Sequence, residues 1–127
     1  MTIAYWCVLI AGVLPLFAIG IAKAGGERYN NRHPRMWLGK QQGYRARAAA
    51  AESNSFEAFP LFAAAVIIAH LTRAPQGPLD LLAVVFILAR IAYVICYLAD
   101  WHWARSLVWF IGYVACIAIF LSGVMLG

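Results

Sequence analysis

The sequence predicts an all-α integral membrane protein, a bundle of four transmembrane helices, on three observations. Hydrophobic residues make up 65% of the 127-residue chain and charged residues 12%, about half the charge content of ordinary soluble domains. Four oily runs stand out, each near the roughly 20 residues that a helix needs to cross a 30 Å hydrocarbon core. The basic residues gather in two connections instead of spreading over a surface. The length suits one domain, and a soluble chain of this size has too little interior to hide so much apolar surface.

The first run, Ile3 to Ala22, gives a helix over about residues 3–22. Only Met-Thr precedes it, without lysine or arginine, and no small-residue cleavage site follows. It therefore reads as a retained helix, not a signal peptide. A long basic connection, GGERYNNRHPRMWLGKQQGYR, leads to the second run, Ala48 to Leu71, on a helix over about 43–72. The turn APQGP, with two prolines and a glycine, ends that helix. The third run, Leu79 to Leu98, gives a helix over about 79–98, and the fourth, Leu107 to Leu126, a helix over about 106–126. The whole chain, 1–127, is thus one four-helix domain. Cys7, Cys96 and Cys116 all fall inside helices, where an odd number of thiols in apolar settings reads as packing.

Charge gives the orientation. Lys23, Arg28, Arg32, Arg35, Lys40, Arg45 and Arg47 lie in or beside the first connection, and Arg105 in the third. These two connections share one side of a four-helix topology, and the other side offers Arg73 alone. The positive-inside rule makes the basic side cytoplasmic and places both termini outside the cytoplasm. Trp37, Trp101 and Trp103 fit an aromatic belt at the same interface. The net charge of +5 therefore points to a membrane rim and not to nucleic acid; such a rim attracts anionic headgroups and anionic soluble cofactors alike.

Polar residues inside the oily runs point to a site. An ionisable residue at the centre of a membrane helix costs at least about 2.5–3.5 kcal/mol, so it faces the bundle interior and takes a partner. Glu57 and Arg90 lie about nine and about eight residues in from the basic ends of the second and third helices. That shared depth makes them expected partners in a buried ion pair. Asn54 and Glu57 share a helix face at i and i+3, and Arg47 lies on the same stripe. Arg90, Tyr93 and Tyr97 form a second stripe at i, i+3 and i+7. Asp100, His102, Arg105 and Ser106 then arrive at the basic end of the bundle. The two stripes describe an anion-accepting pocket opening near the membrane surface. Pro60 is expected to bend the second helix, as Pro15 would the first. Glu52 is expected either to pair with Arg45 or to face the basic rim. His33, His70 and His102 are too scattered for a metal site.

RAAAAESNSFEAFPLF, ARIAYVICYL and ARSLVW together resemble the MAPEG family, the membrane-associated proteins in eicosanoid and glutathione metabolism, over essentially the whole chain. The short length and plain loops resemble a bacterial member, which implies the bacterial inner membrane. The resemblance implies a homotrimer of four-helix protomers with sites between protomers, and glutathione bound near the cytoplasmic surface. Asn54 and Glu57 match the residues that hold the glutathione backbone, and Tyr93 and Tyr97 match aromatic or hydroxyl positions of the third helix. Arg90 joins this ligand-binding set from the same stripe. Arg105 matches the arginine that activates the thiol, Ser106 its neighbour, and Arg47 the first of two arginines on the second helix. The second of those arginines is replaced here by Ala50. A charge-assisted contact is worth roughly ten- to a hundredfold in affinity, so this departure bears on whether glutathione binds.

Two functions compete. The first is a glutathione-dependent transferase or peroxidase acting on lipophilic electrophiles, with Arg105 stabilising the thiolate and lipophilic small molecules arriving from the bilayer. The second is a non-catalytic lipid-binding or scaffold protein of the same family, which Ala50 favours. A small cation transporter fits less well, because the first helix carries no acidic residue.

Overall fold

A computed structural model describes residues 1–24 and 28–125 of the chain. Its helices are α1 (Ile3–Lys23), α2 (Pro34–Gly39), α3 (Tyr44–Leu71), α4 (Gln76–Leu98) and α5 (His102–Met125). All except α2 are long and apolar enough to cross a membrane. The short α2 lies within the basic connection and has no counterpart among the sequence expectations. It starts on Pro34, whose missing N–H is no loss in a first turn. The same physics moves the start of α4 back to Gln76: Pro78, read as part of a turn, sits in the first helical turn.

Two helix ends also depart from the usual chemistry. α3 and α4 both close in a Schellman arrangement, in which the left-handed residue is not glycine. After α3, Arg73 (φ 61°) donates its N–H to His70 and Ala74 donates to the Ala69 carbonyl. After α4, Asp100 (φ 61°) donates to Tyr97 and Trp101 to Cys96. This tight closure brings α5 in at His102, four residues before the expected Ser106.

α1 packs chiefly on α3 and α4 chiefly on α5, while α3 and α4 touch each other and lie between α1 and α5. The α1–α3 seam is built of small residues. Ala4, Cys7, Ala11, Pro15, Ala18 and Ala22 recur every three or four positions along α1, facing Ala48, Ala51, Ala65 and Ala69 of α3. Small side chains let the backbones approach, which replaces the hydrophobic drive that lipid does not supply. Phe62 of α3 and Phe86 of α4 fill the centre, stacked 4.0 Å apart at 7°. Pro60 is accommodated inside α3 without ending it. Large apolar side chains, including Leu9, Phe17, Leu88 and Phe120, are left exposed on the outer surface, as helices solvated by hydrocarbon require.

Arg47 fixes the basic end of the bundle. Its Nε and Nη2 donate to the Leu98 carbonyl at 3.3 and 3.1 Å, tying the start of α3 to the last turn of α4. At the opposite end the Ala4 N–H donates to Asp80 Oδ1 at 2.9 Å, so a carboxylate of α4 caps the first turn of α1. Thr2 Oγ1 accepts the Tyr5 N–H of the same turn at 3.2 Å.

Candidate functional site

The polar stripes of α3 and α4 meet α5 at two contiguous cavities. The inner one, about 200 Å³, is lined by Asn54, Glu57, Leu61, Phe86, Arg90, Trp109, Tyr113 and Cys116. The outer one, about 410 Å³ and open to the surface, is lined by Asn54, Tyr93, Arg105, Ser106, Trp109 and Phe110. Asn54 and Trp109 line both, so they form the divide between them.

A ladder of cations and rings runs along this site. Arg90 is 3% exposed, and its Nη2 donates to Asn54 Oδ1 at 2.7 Å. Its guanidinium lies 4.2 Å from the centre of the Tyr93 ring. Tyr93 meets Tyr97 edge-on at 5.7 Å, and Arg105 lies 4.3 Å over Tyr97. Each ring presents its negative face to a cation, which favours the arginine in a desolvated setting. Among the described residues, none accepts from the buried Arg90 Nε. A buried donor left unpaired costs about 1–3 kcal/mol, so this atom favours a ligand that brings an oxygen.

The structure corrects one expectation, the partner of Arg90. Arg90 does not form an ion pair with Glu57; Asn54, one turn earlier on α3, takes the guanidinium instead. Glu57 shares the inner cavity with Arg90 but its side chain is exposed on the protomer surface. Equal depth on two helices was sound, but depth alone does not fix rotation about the helix axis. Arg47, expected in the ligand-binding set, lines neither cavity and is held by the Leu98 carbonyl. Trp37, read as part of an aromatic belt, is 5% exposed and packs within the basic connection. Ser106 lies in the outer cavity, where its hydroxyl donates to the His102 carbonyl at 3.1 Å.

Beyond Arg105 and Ser106, the α5 wall escaped the sequence reading. Arg105, Trp109, Tyr113 and Cys116 recur at i, i+4, i+8 and i+11, one continuous helix face. Trp109 and Tyr113 stack at 5.2 Å and 18°. The spacing was visible, but in so oily a segment aromatic residues at helical period also describe lipid contact.

A family model described as the MAPEG family matches residues 3–125. The chain belongs to the MAPEG family. No curated protein and no solved structure matches it. The match covers the three spans that wall the cavities and the basic connection. The MAPEG chain keeps Asn54, Tyr93, Arg105 and Ser106 around one opening, with Glu57 and Arg90 immediately inside it.

Proposed function

We propose that this MAPEG protein is a glutathione-dependent transferase or peroxidase acting on lipophilic electrophiles at the membrane. The observation that carries the reading is Arg105 set over Tyr97 at the wall of an open cavity that Asn54, Tyr93 and Ser106 also line. The donor set fits glutathione: Arg105 and the Tyr93 hydroxyl for anionic groups, Glu57 for an amine, Asn54 for amides, and the unmatched Arg90 Nε for an oxygen. Glutathione, when bound, supplies the thiol, which has an ordinary pKa of about 8.5. Arg105 favours the thiolate by charge and donated hydrogen bonds, not as a base. Trp109, Phe110, Leu61 and Phe86 supply apolar walls for an electrophile arriving from lipid.

A homotrimer belongs to the same proposal. Glu57 is exposed on the protomer surface at mid-span, where a carboxylate in contact with lipid is expensive. A second copy over this face removes that exposure and encloses the inner cavity. Sidedness follows the positive charge, with the Arg47 and Arg105 end cytoplasmic.

The second reading, a non-catalytic lipid-binding or scaffold protein, rests on two observations. Ala50 stands one turn before Asn54, and Arg47 is committed to Leu98. No side chain of α3 therefore brings a cation to either cavity. Calorimetric titration of glutathione into the detergent-purified protein, beside Arg105→Ala, tests the first reading. Micromolar-to-millimolar binding that the variant loses supports it, and thiol turnover on a panel of lipophilic electrophiles then follows. No binding at several millimolar, with lipid co-purifying, favours the second.

A further inference from the structure

The connection between α1 and α3 carries more positive charge than its own folding uses. Lys23 lies 4.2 Å over the Tyr29 ring, and Arg45 donates to the Ala24 carbonyl and to Gln41 Oε1. Arg28, Arg32, Arg35 and Lys40 are different. All four are exposed, and none of their side chains has a hydrogen bond or ion pair among the described residues.

Trp37 holds this segment in shape. Its Nε1 donates to the Arg28 carbonyl at 2.9 Å, its own carbonyl accepts from Gln41 Nε2 at 2.9 Å, and Tyr29 meets its ring edge-on at 5.1 Å. The Arg45 guanidinium lies 5.4 Å over the same ring. Arg28 and Lys40 are thereby set around a concavity of about 430 Å³, which Asn30, His33, Met36 and Trp37 also line. An ordered pair of cations loses less freedom on binding an anion than two on a floppy loop would.

The concavity stands at the level where α1 and α3 leave the hydrocarbon. α1 ends at Lys23 and α3 begins at Tyr44, and the same end of the bundle exposes Trp101 and Trp103. Tryptophan at a span end marks the headgroup level. Met36, 60% exposed in otherwise basic and polar surroundings, adds an apolar edge. A free anion in solution has no use for such an edge, whereas a lipid carries acyl carbons beside its phosphate.

We propose that this concavity is a binding site for the headgroup of an anionic phospholipid, separate from the cavities between α3, α4 and α5. Arg28 and Lys40 take the phosphate, Asn30 and His33 supply further hydrogen bonds, and Met36 meets the first acyl carbons. A cation close to an anionic membrane surface is worth about a fivefold gain in binding, so the two together give roughly twenty- to thirtyfold.

The test is native mass spectrometry of the full chain in mixed micelles holding equimolar phosphatidylglycerol and phosphatidylcholine of identical acyl chains. Wild type is expected to retain phosphatidylglycerol preferentially. Arg28→Gln/Lys40→Gln is expected to lose most of that preference, by roughly ten- to thirtyfold. Arg32→Gln/Arg35→Gln removes the same charge outside the concavity and is expected to keep it within about threefold. Circular dichroism of each variant, with thermal stability in both lipids, separates site loss from misfolding. Wild type without preference overturns the proposal. So do equal losses in the two double variants, which describe a diffuse basic rim. Displacement of the lipid by millimolar inorganic phosphate or glutathione also overturns it, and assigns the cations to a soluble anion.

Discussion

Arg90 and Asn54 are joined across α4 and α3 by a 2.7 Å hydrogen bond, Nη2 to Oδ1, while Nε of the same guanidinium stays buried without an acceptor. A charged group inside an apolar bundle is thus held by a neutral amide and left incompletely satisfied. The amide is a weaker partner than a carboxylate, and Glu57, at the cavity wall, has no ion-pair partner among the described residues. That arrangement suits a site which completes its hydrogen bonding only when occupied.

Asn54→Ala is expected to lower stability by about 1–3 kcal/mol, because it strips a buried cation of its acceptor. Asn54→Asp keeps an acceptor at the same reach and is expected to lose less. Reversible unfolding in mixed micelles checks both. Equal losses in the two variants would mean that amide packing, not the hydrogen bond, is what matters at this position.

The spans were legible because oil in the sequence is a one-dimensional signal: 20 apolar residues are readable without knowing any neighbour. The stripes of Asn54 and Glu57 and of Arg90, Tyr93 and Tyr97 were legible for the same reason, since helical period places them. Pairing was not. Whether Arg90 meets Asn54 or Glu57 depends on the rotation of α3 against α4, which the small-residue packing on α1 sets. Arg47 shows the same limit, since its acceptor, the Leu98 carbonyl, is a backbone group that no side-chain pattern announces. The burial of Trp37 was not legible because it sits on a six-residue helix too short to carry a period.

Tyr97 positions Arg105 through its ring face, at 4.3 Å. Tyr97→Leu removes that face and, on the proposed glutathione reading, is expected to weaken glutathione binding by roughly three- to thirtyfold, the range of a partly desolvated cation–π contact. Tyr97→Phe keeps the face and is expected to stay within about threefold of wild type. Titration calorimetry reads both. A loss in Tyr97→Phe as large as in Tyr97→Leu would assign the role to the hydroxyl.

Asp80 caps a helix other than its own. Its Oδ1 accepts the Ala4 N–H and also the Gln76 side-chain amide at 2.6 Å. Asp80→Ala leaves a donor of the first turn of α1 without its acceptor and is expected to cost about 1–2 kcal/mol. Asp80→Asn retains an oxygen and is expected to cost less. Amide hydrogen exchange should show the loss concentrated in residues 4–7 of α1. Uniform loss over α1 and α4 would point instead to a wider change in packing.

Two glycines offer a paired test of packing. A Cβ at Gly123 would meet the Thr72 hydroxyl inside contact distance and stand 2.7 Å from Thr72 Cβ, where α5 closes on the turn after α3. Gly123→Ala is therefore expected to destabilise by about 1–3 kcal/mol. A Cβ at Gly20 meets nothing within 4 Å, so Gly20→Ala is expected to stabilise by up to about 1 kcal/mol through helix propensity. Thermal unfolding of the two variants should move in opposite directions. A neutral Gly123→Ala would show that the Thr72 turn yields easily.

Ala50 is the position at which the two functional readings diverge most. It lies one turn before Asn54 on α3, half-buried, so a longer side chain there lies on the same face as Asn54. If glutathione binds in the outer cavity with a carboxylate towards α3, Ala50→Arg adds a charge-assisted contact worth roughly ten- to a hundredfold in affinity. The same change brings a second cation three residues from Arg47, a like-charge pair that is expected to subtract about 0.2–0.5 kcal/mol of helix stability. Calorimetry on Ala50→Arg beside wild type decides the matter. A gain of this size would show that the site has kept the shape of a glutathione site and lacks one grip. Unchanged weak binding, in a variant that folds and still binds lipid, would show that the cavity around Asn54 and Arg105 has turned to a different ligand.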